Sequence, residues 1–271
     1  VAAASYHIMT IDVATGLTPD AGNATVGNNQ PANALAGDVF TNTTGGALNV
    51  VYHVVPVSAD GCEGDLEQVV VTIDPQPVLS PNLNTTVCSD LPTGLVLNVA
   101  SGSVPAANYN ILAITVDAGL VTGAGNAVVA NSVAANYLAN DVFTNTTGGS
   151  LTVVYDVVPV SAGGCEGDMR QVTVTISPEP GLDPGLDNTV CSDETSGIVL
   201  GVTAGSVAAS SYDITLNFKD PALTGSPTTG TNLSSNAIAS DRFTNTTGGP
   251  LTVAYDVTPI SAAGCRGDVV T

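Results

Sequence analysis

The chain has 271 residues, of which 24 are acidic and only 4 are lysine or arginine, so its formal net charge is −20. Such a charge repels phosphate backbones and anionic membranes, which argues against a protein that binds nucleic acids or lipid surfaces. Charged residues make up only 10% of the chain, and this composition is typical of secreted β-proteins. No apolar run reaches the ~18 residues of a transmembrane helix.

One segment occurs three times, and its second copy reads FTNTTGGSLTVVYDVVPVSAGGCEGD. The copies run from Phe40 to Asp65, from Phe143 to Asp168 and from Phe243 to Asp268, so their starts are 103 and 100 residues apart. Self-similarity at this period indicates tandem domains of about 100 residues each.

The repeat divides the chain into three predicted segments. Residues 1–77 are the later part of one repeat, residues 78–180 are a complete repeat, and residues 181–271 are a repeat without its last strand. Since the sequence begins and ends within a repeat and starts with no signal peptide, we expect it to be part of a longer chain.

The first segment closes with a strand pattern at 69–73 and then Asp74-Pro75-Gln76-Pro77. Prolines remove backbone donors and favour an extended chain, so these four residues predict a short, stiff linker. Ser177-Pro178-Glu179-Pro180 occupies the same place one repeat later.

The complete repeat shows strand patterns and no helical periodicity. We predict strands at 84–88, 95–99 and 109–116, and a hairpin whose strands, 151–158 and 172–176, alternate apolar and polar residues. The interval between 118 and 139 varies in length between copies, which marks a surface loop. Short strands separated by turns within about 100 residues predict an all-β chain of tandem immunoglobulin-like β-sandwich domains.

The five cysteines fall at two positions of the repeat. Cys62, Cys165 and Cys265 lie in the hairpin turn, whereas Cys88 and Cys191 follow the first strand. Pairing within each repeat gives Cys88–Cys165 and Cys191–Cys265, and pairing across the linker gives Cys62–Cys88 and Cys165–Cys191. We prefer pairing within the repeat, because a strand of about 23 Å separates the across-linker partners and a disulfide needs Cα atoms within about 7 Å. Disulfides imply an oxidising, extracellular location.

Repeated aspartates are candidate calcium ligands, since carboxylates and loop carbonyls bind this ion between domains. The alternative is that they cap turns and keep the surface soluble. No other cofactor is expected. The candidates lie before the repeated phenylalanine or after the repeated cysteine: Asp38, Asp141, Asp241, Asp65, Asp168 and Asp268.

Several short motifs allow a functional and a structural interpretation. Asn42, Asn145 and Asn245 each begin an Asn-Thr-Thr glycosylation sequon, but a turn before Gly-Gly requires the same residues, and we prefer the turn. Arg266-Gly267-Asp268 spells an integrin-type tripeptide, yet the other copies read Glu-Gly-Asp, which favours a simple Glu-to-Arg change. His7 and His53 each occur in one copy only and are interpreted as surface variants.

Since no nucleophile elbow, phosphate loop or zinc-protease motif is present, we expect no enzymatic activity.

The strand and turn motifs also carry a family resemblance. Val-Cys-Ser-Asp opens a repeat, Val-Val-Tyr-Asp-Val-Val-Pro-Val precedes Gly-Gly-Cys-Glu-Gly-Asp, and Val-Thr-Val-Thr-Ile-Ser-Pro closes it. This pattern resembles the PKD-like and immunoglobulin-like tandem repeats of very large secreted surface proteins of Bacteroidota, including gliding adhesins of the SprB type. The resemblance implies export to the cell surface and a role in adhesion, motility or matrix, and it supplies no catalytic residues.

These observations lead us to expect a structural or adhesive repeat region of a long extracellular filament or giant cell-surface adhesin. Its expected partners are other repeats or further copies of itself. Two alternatives stay open. The chain could be a binding module that recognises a surface glycan or protein through its variable loops, or an accessory region of a secreted hydrolase.

Overall fold

The computed structural model of the protein describes all residues from 1 to 271, and it consists of sixteen β-strands without an α-helix. It therefore contains no helix that could cross a membrane. The three larger sheets each lie within one of the predicted segments 1–77, 78–180 and 181–271, which we name repeat 1, repeat 2 and repeat 3. The prediction of an all-β chain is confirmed.

Repeat 1 forms a four-stranded sheet in the order β3-β1-β5-β6 and a separate two-stranded hairpin of β2 and β4. Its strands are β1 (Ser5–Val13), β2 (Leu17–Pro19), β3 (Gly27–Gln30), β4 (Phe40–Asn42), β5 (Leu48–Val57) and β6 (Glu67–Ile73).

Repeat 2 forms a five-stranded sheet in the order β10-β8-β12-β13-β7, and β9 pairs with β11 in the facing layer. Its strands are β7 (Thr85–Cys88), β8 (Ala106–Val116), β9 (Val121–Thr122), β10 (Ala130–Val133), β11 (Phe143–Thr144), β12 (Leu151–Ser161) and β13 (Arg170–Ser177). Repeat 3 repeats the centre of this sheet in the order β15-β14-β16, with β14 (Ala209–Lys219), β15 (Gly230–Leu233) and β16 (Val253–Ser261).

The predicted hairpin is present as β12 and β13, which pair antiparallel from Leu151 with Ile176 to Val157 with Arg170. The short first strand β7 then pairs with β13 in parallel, so that Cys88 lies opposite Ser177. Both β7 and β13 therefore run towards the end of repeat 2 that faces repeat 3. This parallel pair decides where the cysteines lie.

The predicted strand at 95–99 is wrong as a strand, although its pattern of burial is real. Leu95 and Leu97 are buried and Val96 is exposed, but the Leu97 N–H donates to the carbonyl of Ala135 rather than to a ladder partner. Only a single bridge, from Leu79 to Val99, pairs the backbone there. The segment is an irregular covering layer over the sheet.

The core of repeat 2 lies between the sheet and this layer. Tyr155 is completely buried at its centre, with Ile111 on β8 and Val174 on β13 beside it, and Leu97 belongs to the same cluster. The equivalent strand of repeat 1, β6, leaves Val69 and its neighbours half exposed, because residues 1–77 contain no layer like 79–97. Repeat 3 has an open apolar groove of about 420 Å³ beside β16.

Candidate functional site: the junctions between repeats

The linkers predicted from the prolines are held by hydrogen bonds on both sides. In the first linker, the Gln76 N–H donates to the carbonyl of Asn42 in repeat 1 over 2.8 Å, and the N–H of Val78, directly after the linker, donates to the Ser103 hydroxyl in repeat 2 over 2.8 Å. The second linker repeats this arrangement: the Glu179 N–H bonds to the carbonyl of Asn145 and the Gly181 N–H to the Ser206 hydroxyl. Each linker is thus tied to both repeats that it joins.

Glycines allow the backbones of neighbouring repeats to approach closely at the same two points of each junction. A Cβ added at Gly167 would collide with the Pro77 carbonyl oxygen, and one added at Gly267 would collide with that of Pro180. On the other side of the linker, a Cβ at Gly148 would lie 3.1 Å from the carbonyl oxygen of Gly205, and Gly45 meets Gly102 in the same way at 3.3 Å. The two junctions therefore have the same geometry.

A disulfide crosses the second junction, and both preferred cysteine pairs are wrong. Cys88 of repeat 2 is bonded to Cys265 of repeat 3, with Cα atoms 5.3 Å apart, and Cys62, Cys165 and Cys191 are free thiols. Pairing of Cys88 with Cys165, or of Cys191 with Cys265, fails because the partners lie at opposite ends of one repeat. They are separated by about 26 Å, the length of the eight-residue strand β13. The across-linker pairs are absent as well.

The observed pairing joins the first-strand cysteine of one repeat to the turn cysteine of the next. Cys191 holds in repeat 3 the position of Cys88, while Cys62 and Cys165 hold the position of Cys265. Cys88 and Cys265 are the one pair within residues 1–271 that has this relationship, and they form the one disulfide.

A cluster of acids lies beside this disulfide. The Glu179 side chain is only 5% exposed, and its carboxyl lies within hydrogen-bonding reach of Asp90 and close to Asp268. Burial, followed by the hydrogen bond and charge of Asp90, raises the pKa of Glu179 to about 7. A protonated Glu179 can donate a hydrogen bond to the Asp90 carboxylate, and because it is then neutral, the contact between repeats carries one negative charge fewer.

The first junction has a neutral counterpart of this cluster. Gln76 occupies the position of Glu179, and Asp168 that of Asp268. An amide carries no charge at any pH, so the two junctions have similar backbone contacts but different electrostatics.

The six calcium candidates are not brought together. Asp38, Asp141 and Asp241 each accept a hydrogen bond of 2.5–2.8 Å from the hydroxyl of the repeated tyrosine, and a backbone N–H of the preceding loop donates to the same carboxylate. Asp65, Asp168 and Asp268 lie exposed in the loop after the cysteine. The structure contains no group of three or more acidic, histidine or cysteine side chains that could hold a metal ion. Calcium binding stays a prediction.

The tyrosine–aspartate pair is a structural element of every repeat. In repeat 2, the Tyr155 hydroxyl donates to Asp141 Oδ2 over 2.8 Å, and the Ala127 N–H donates to Asp141 Oδ1 over 2.6 Å. Burial raises the pKa of Asp141, and burial together with Asp141 raises the pKa of Tyr155. The pair anchors the loop before Phe143 to the central strand, and the sequence revealed it only as two separate conserved positions of the repeat.

The sequon asparagines form turns, which confirms the structural interpretation of Asn-Thr-Thr. Asn145 is completely buried: its Nδ2 donates to the carbonyls of Gly149 and Ile176, and its Oδ1 accepts from the Thr147 N–H and hydroxyl. Asn42 makes the equivalent bonds in repeat 1 and is 2% exposed.

Arg266 of the integrin-type tripeptide forms an ion pair with Asp213 at 2.7 Å. The equivalent pairs are Asn110 with Glu166, over 2.9 Å, and His7 with Glu63, over 3.4 Å. The change from Glu to Arg is therefore matched by a change to Asp at its partner. His7, Asn110 and Asp213 also share a second role, which sequence reasoning missed: each accepts from the N–H of a residue with positive φ on the neighbouring strand, namely Asn29, Ser132 and Asn232.

Comparison with known protein families gives one match, to the model described as a PKD-like domain, at residues 17–77, 86–180 and 188–271. The chain belongs to the PKD-like domain family. No curated protein matches the sequence. The matches to the PKD-like model end at residues 77 and 180, next to the linkers described above.

A comparison with solved structures also gives matches, of which three are named here. They are human CDH23 EC21-23 (13% identity, TM-score 0.29, 97% of this chain and 86% of that chain), protocadherin gammaB7 EC3-6 (8%, 0.30, 97% and 65%) and mouse PcdhgC3 EC1-3 (9%, 0.25, 92% and 87%). The family match and the disulfide indicate an extracellular repeat module.

Proposed function

We propose that this chain is a structural segment of a long extracellular filament or giant cell-surface adhesin, in which PKD-like repeats form a stiff rod. One observation carries the proposal: the two junctions repeat the same backbone contacts, at Gly167 against Pro77 and at Gly267 against Pro180. Junctions with the same backbone contacts set the same angle between successive repeats, and repetition of one angle builds a regular rod. The role requires no chemical step from these residues.

The material properties of the chain support the same role. N–H groups in each linker and directly after it are bonded to the two neighbouring repeats, which restricts bending. The disulfide adds a covalent connection across one junction and suits an oxidising environment. A net charge of −20 keeps such rods soluble and apart from one another. Further repeats or further copies of the chain are the partners that we propose, as in the surface proteins of Bacteroidota that the motifs resemble.

A binding role is a second candidate, because the variable interval of repeat 2 exposes apolar side chains. Val121, Val128 and Val129 are each more than half exposed there. Exposed apolar residues in a loop are suited to a protein ligand. Loss of binding to cell-surface extracts after replacement of these three valines with serine would support this candidate.

Small-angle X-ray scattering tests the rod. The wild-type chain is expected to give the pair-distance distribution of one elongated particle. Electron microscopy should show short straight rods. Gly267→Ala places a methyl group against the Pro180 carbonyl and is expected to bend or loosen the second junction, whereas Gly249→Ala, where a Cβ meets open space, should leave the profile unchanged. The proposal is contradicted if the wild-type chain scatters as a compact globular particle, or if it is as flexible as the Gly267→Ala variant.

A further inference from the structure

The disulfide joins two points that lie far apart along the chain but next to each other in space. Cys88 is the last residue of β7 and lies opposite Ser177, at the end of repeat 2 that faces repeat 3. Cys265 follows β16 in the loop whose Gly267 lies against Pro180, at the end of repeat 3 that faces repeat 2. The sequence separation of the two cysteines is 177 residues.

The segment before Cys88 crosses the whole of repeat 2. Val78 is held at the first junction by its bond to Ser103, and the chain then runs past Leu79 and along β7 to Cys88 at the second junction. Eleven residues can reach at most about 36 Å, which is the length of the eleven-residue strand β12, and the last four of them form β7. A short stretch of backbone thus connects the two ends of the repeat.

We propose that residues 78–88, the Cys88–Cys265 bond and residues 265–271 form a covalent cable through which tension passes from repeat 1 to the end of repeat 3. All residues from 89 to 264 lie in a closed loop beside this path. Tension applied to the ends of the chain therefore cannot extend that loop. Most of repeats 2 and 3 can then unfold without any lengthening of the chain. The use of this path in the molecule rests on the proposed role as a filament, but the path itself depends only on the disulfide.

For a filament, the consequence is that the disulfide limits the length to which the chain can extend. In the reduced chain, every repeat adds its full contour when it unfolds. In the oxidised chain, the 177-residue separation removes roughly 600 Å of extensible backbone, at about 3.4 Å per residue. Under tension the oxidised chain would lengthen only through the residues outside the loop, and an unfolded part of the loop would refold without being stretched.

Single-molecule pulling by peptide tags at residues 1 and 271 tests this proposal. The oxidised chain is expected to release contour from residues 1–88 and 265–271 only, and addition of dithiothreitol is expected to release roughly 600 Å more. Cys88→Ser with Cys265→Ser should give the long trace without reductant. Cys62→Ser with Cys165→Ser and Cys191→Ser is the matched control, which keeps the bond, prevents mispaired disulfides and should give the short trace.

Equal contour in the oxidised and reduced wild-type chain would overturn the covalent cable, and so would a triple-serine control that gives the long trace. These outcomes are separate from those of the scattering experiment. If the chain is a straight rod but releases its full contour when oxidised, only the covalent cable is contradicted. If the particle is flexible or compact but gives the short trace when oxidised, only the proposed filament is contradicted.

Discussion

Cys88 and Cys265 are bonded across the junction between repeats 2 and 3, while Cys165, in the same repeat as Cys88, is a free thiol. Peptide mapping checks this pairing directly. A non-reduced digest is expected to contain one linked peptide pair, with Cys88 and Cys265, and alkylation should label Cys62, Cys165 and Cys191. Recovery of a Cys88–Cys165 or Cys191–Cys265 peptide from folded protein would show that the disulfides lie within the repeats instead.

Glu179→Gln is expected to remove a pH dependence of stability that the second junction introduces. The pKa of Glu179 is raised from 4.5 to about 7 by burial and by Asp90. Folding is therefore favoured by the protonated form: this contribution is complete below pH 4.5 and is lost as the pH rises through about 7. The full shift corresponds to about 3 kcal/mol. Solvent screening reduces this at a junction that is open on one side, so at pH 8 the variant should be more stable than the wild type by roughly 1–2 kcal/mol, and at pH 4 the two should be similar.

Denaturant unfolding at pH 4, 6 and 8 measures this effect. Glu67→Gln makes the same chemical change on the exposed face of β6 and serves as the control. Gln76, the natural counterpart at the first junction, shows that an amide fits this position. Unchanged pH dependence in Glu179→Gln would exclude the buried acid as its source.

Tyr155→Phe removes the hydroxyl that donates to the buried carboxylate of Asp141. An unsatisfied buried acceptor is costly, so the free energy of unfolding should fall by about 1–3 kcal/mol. Tyr137→Phe is the control, because the Tyr137 hydroxyl contacts only the backbone of Val128, at 3.3–3.4 Å. Equal losses of stability in the two variants would mean that the Tyr155–Asp141 bond has no special weight.

Arg266→Glu is expected to destabilise repeat 3, because it places two carboxylates together at a partly exposed site. Asp213 would lose its ion pair, and its pKa, which is lowered by the Asn232 N–H and by Arg266, would rise. A loss of about 0.5–1 kcal/mol is expected at low salt. Adding Asp213→Asn recreates the Asn110–Glu166 pair of repeat 2 and should recover most of the loss. A double-mutant cycle by thermal unfolding measures the coupling, and additive effects would show that the residues act independently.

The elements that sequence alone predicted well are those set by local pattern. The hairpin of β12 and β13 follows from alternation on either side of a glycine turn, and both strands are present. The segment at 95–99 has the burial pattern of a strand, but its backbone bonds go to Ala135, so the same pattern arises from an irregular layer over the core. Burial alternation predicts which side chains point inwards, not which backbone groups pair.

The disulfide could not be predicted in the same way, because it depends on the end of the repeat that each cysteine occupies. That depends on β7 lying parallel to β13, a pairing between residues about 90 positions apart that leaves no local signal. The Asp213–Arg266 pair, in contrast, left a signal: both positions change charge in the same copy of the repeat. A comparison of the copies position by position would have found it.

The buried asparagines of the turns have a consequence for how the protein can be made. In Asn42 and Asn145 the Nδ2 atom donates to two carbonyls and has almost no access to solvent. An N-linked sugar uses this atom, so an oligosaccharide added to the nascent chain would block the closing turn of the domain. Production in a eukaryotic secretory pathway should therefore yield misfolded, glycosylated chains, and a bacterial host with an oxidising periplasm is the suitable source.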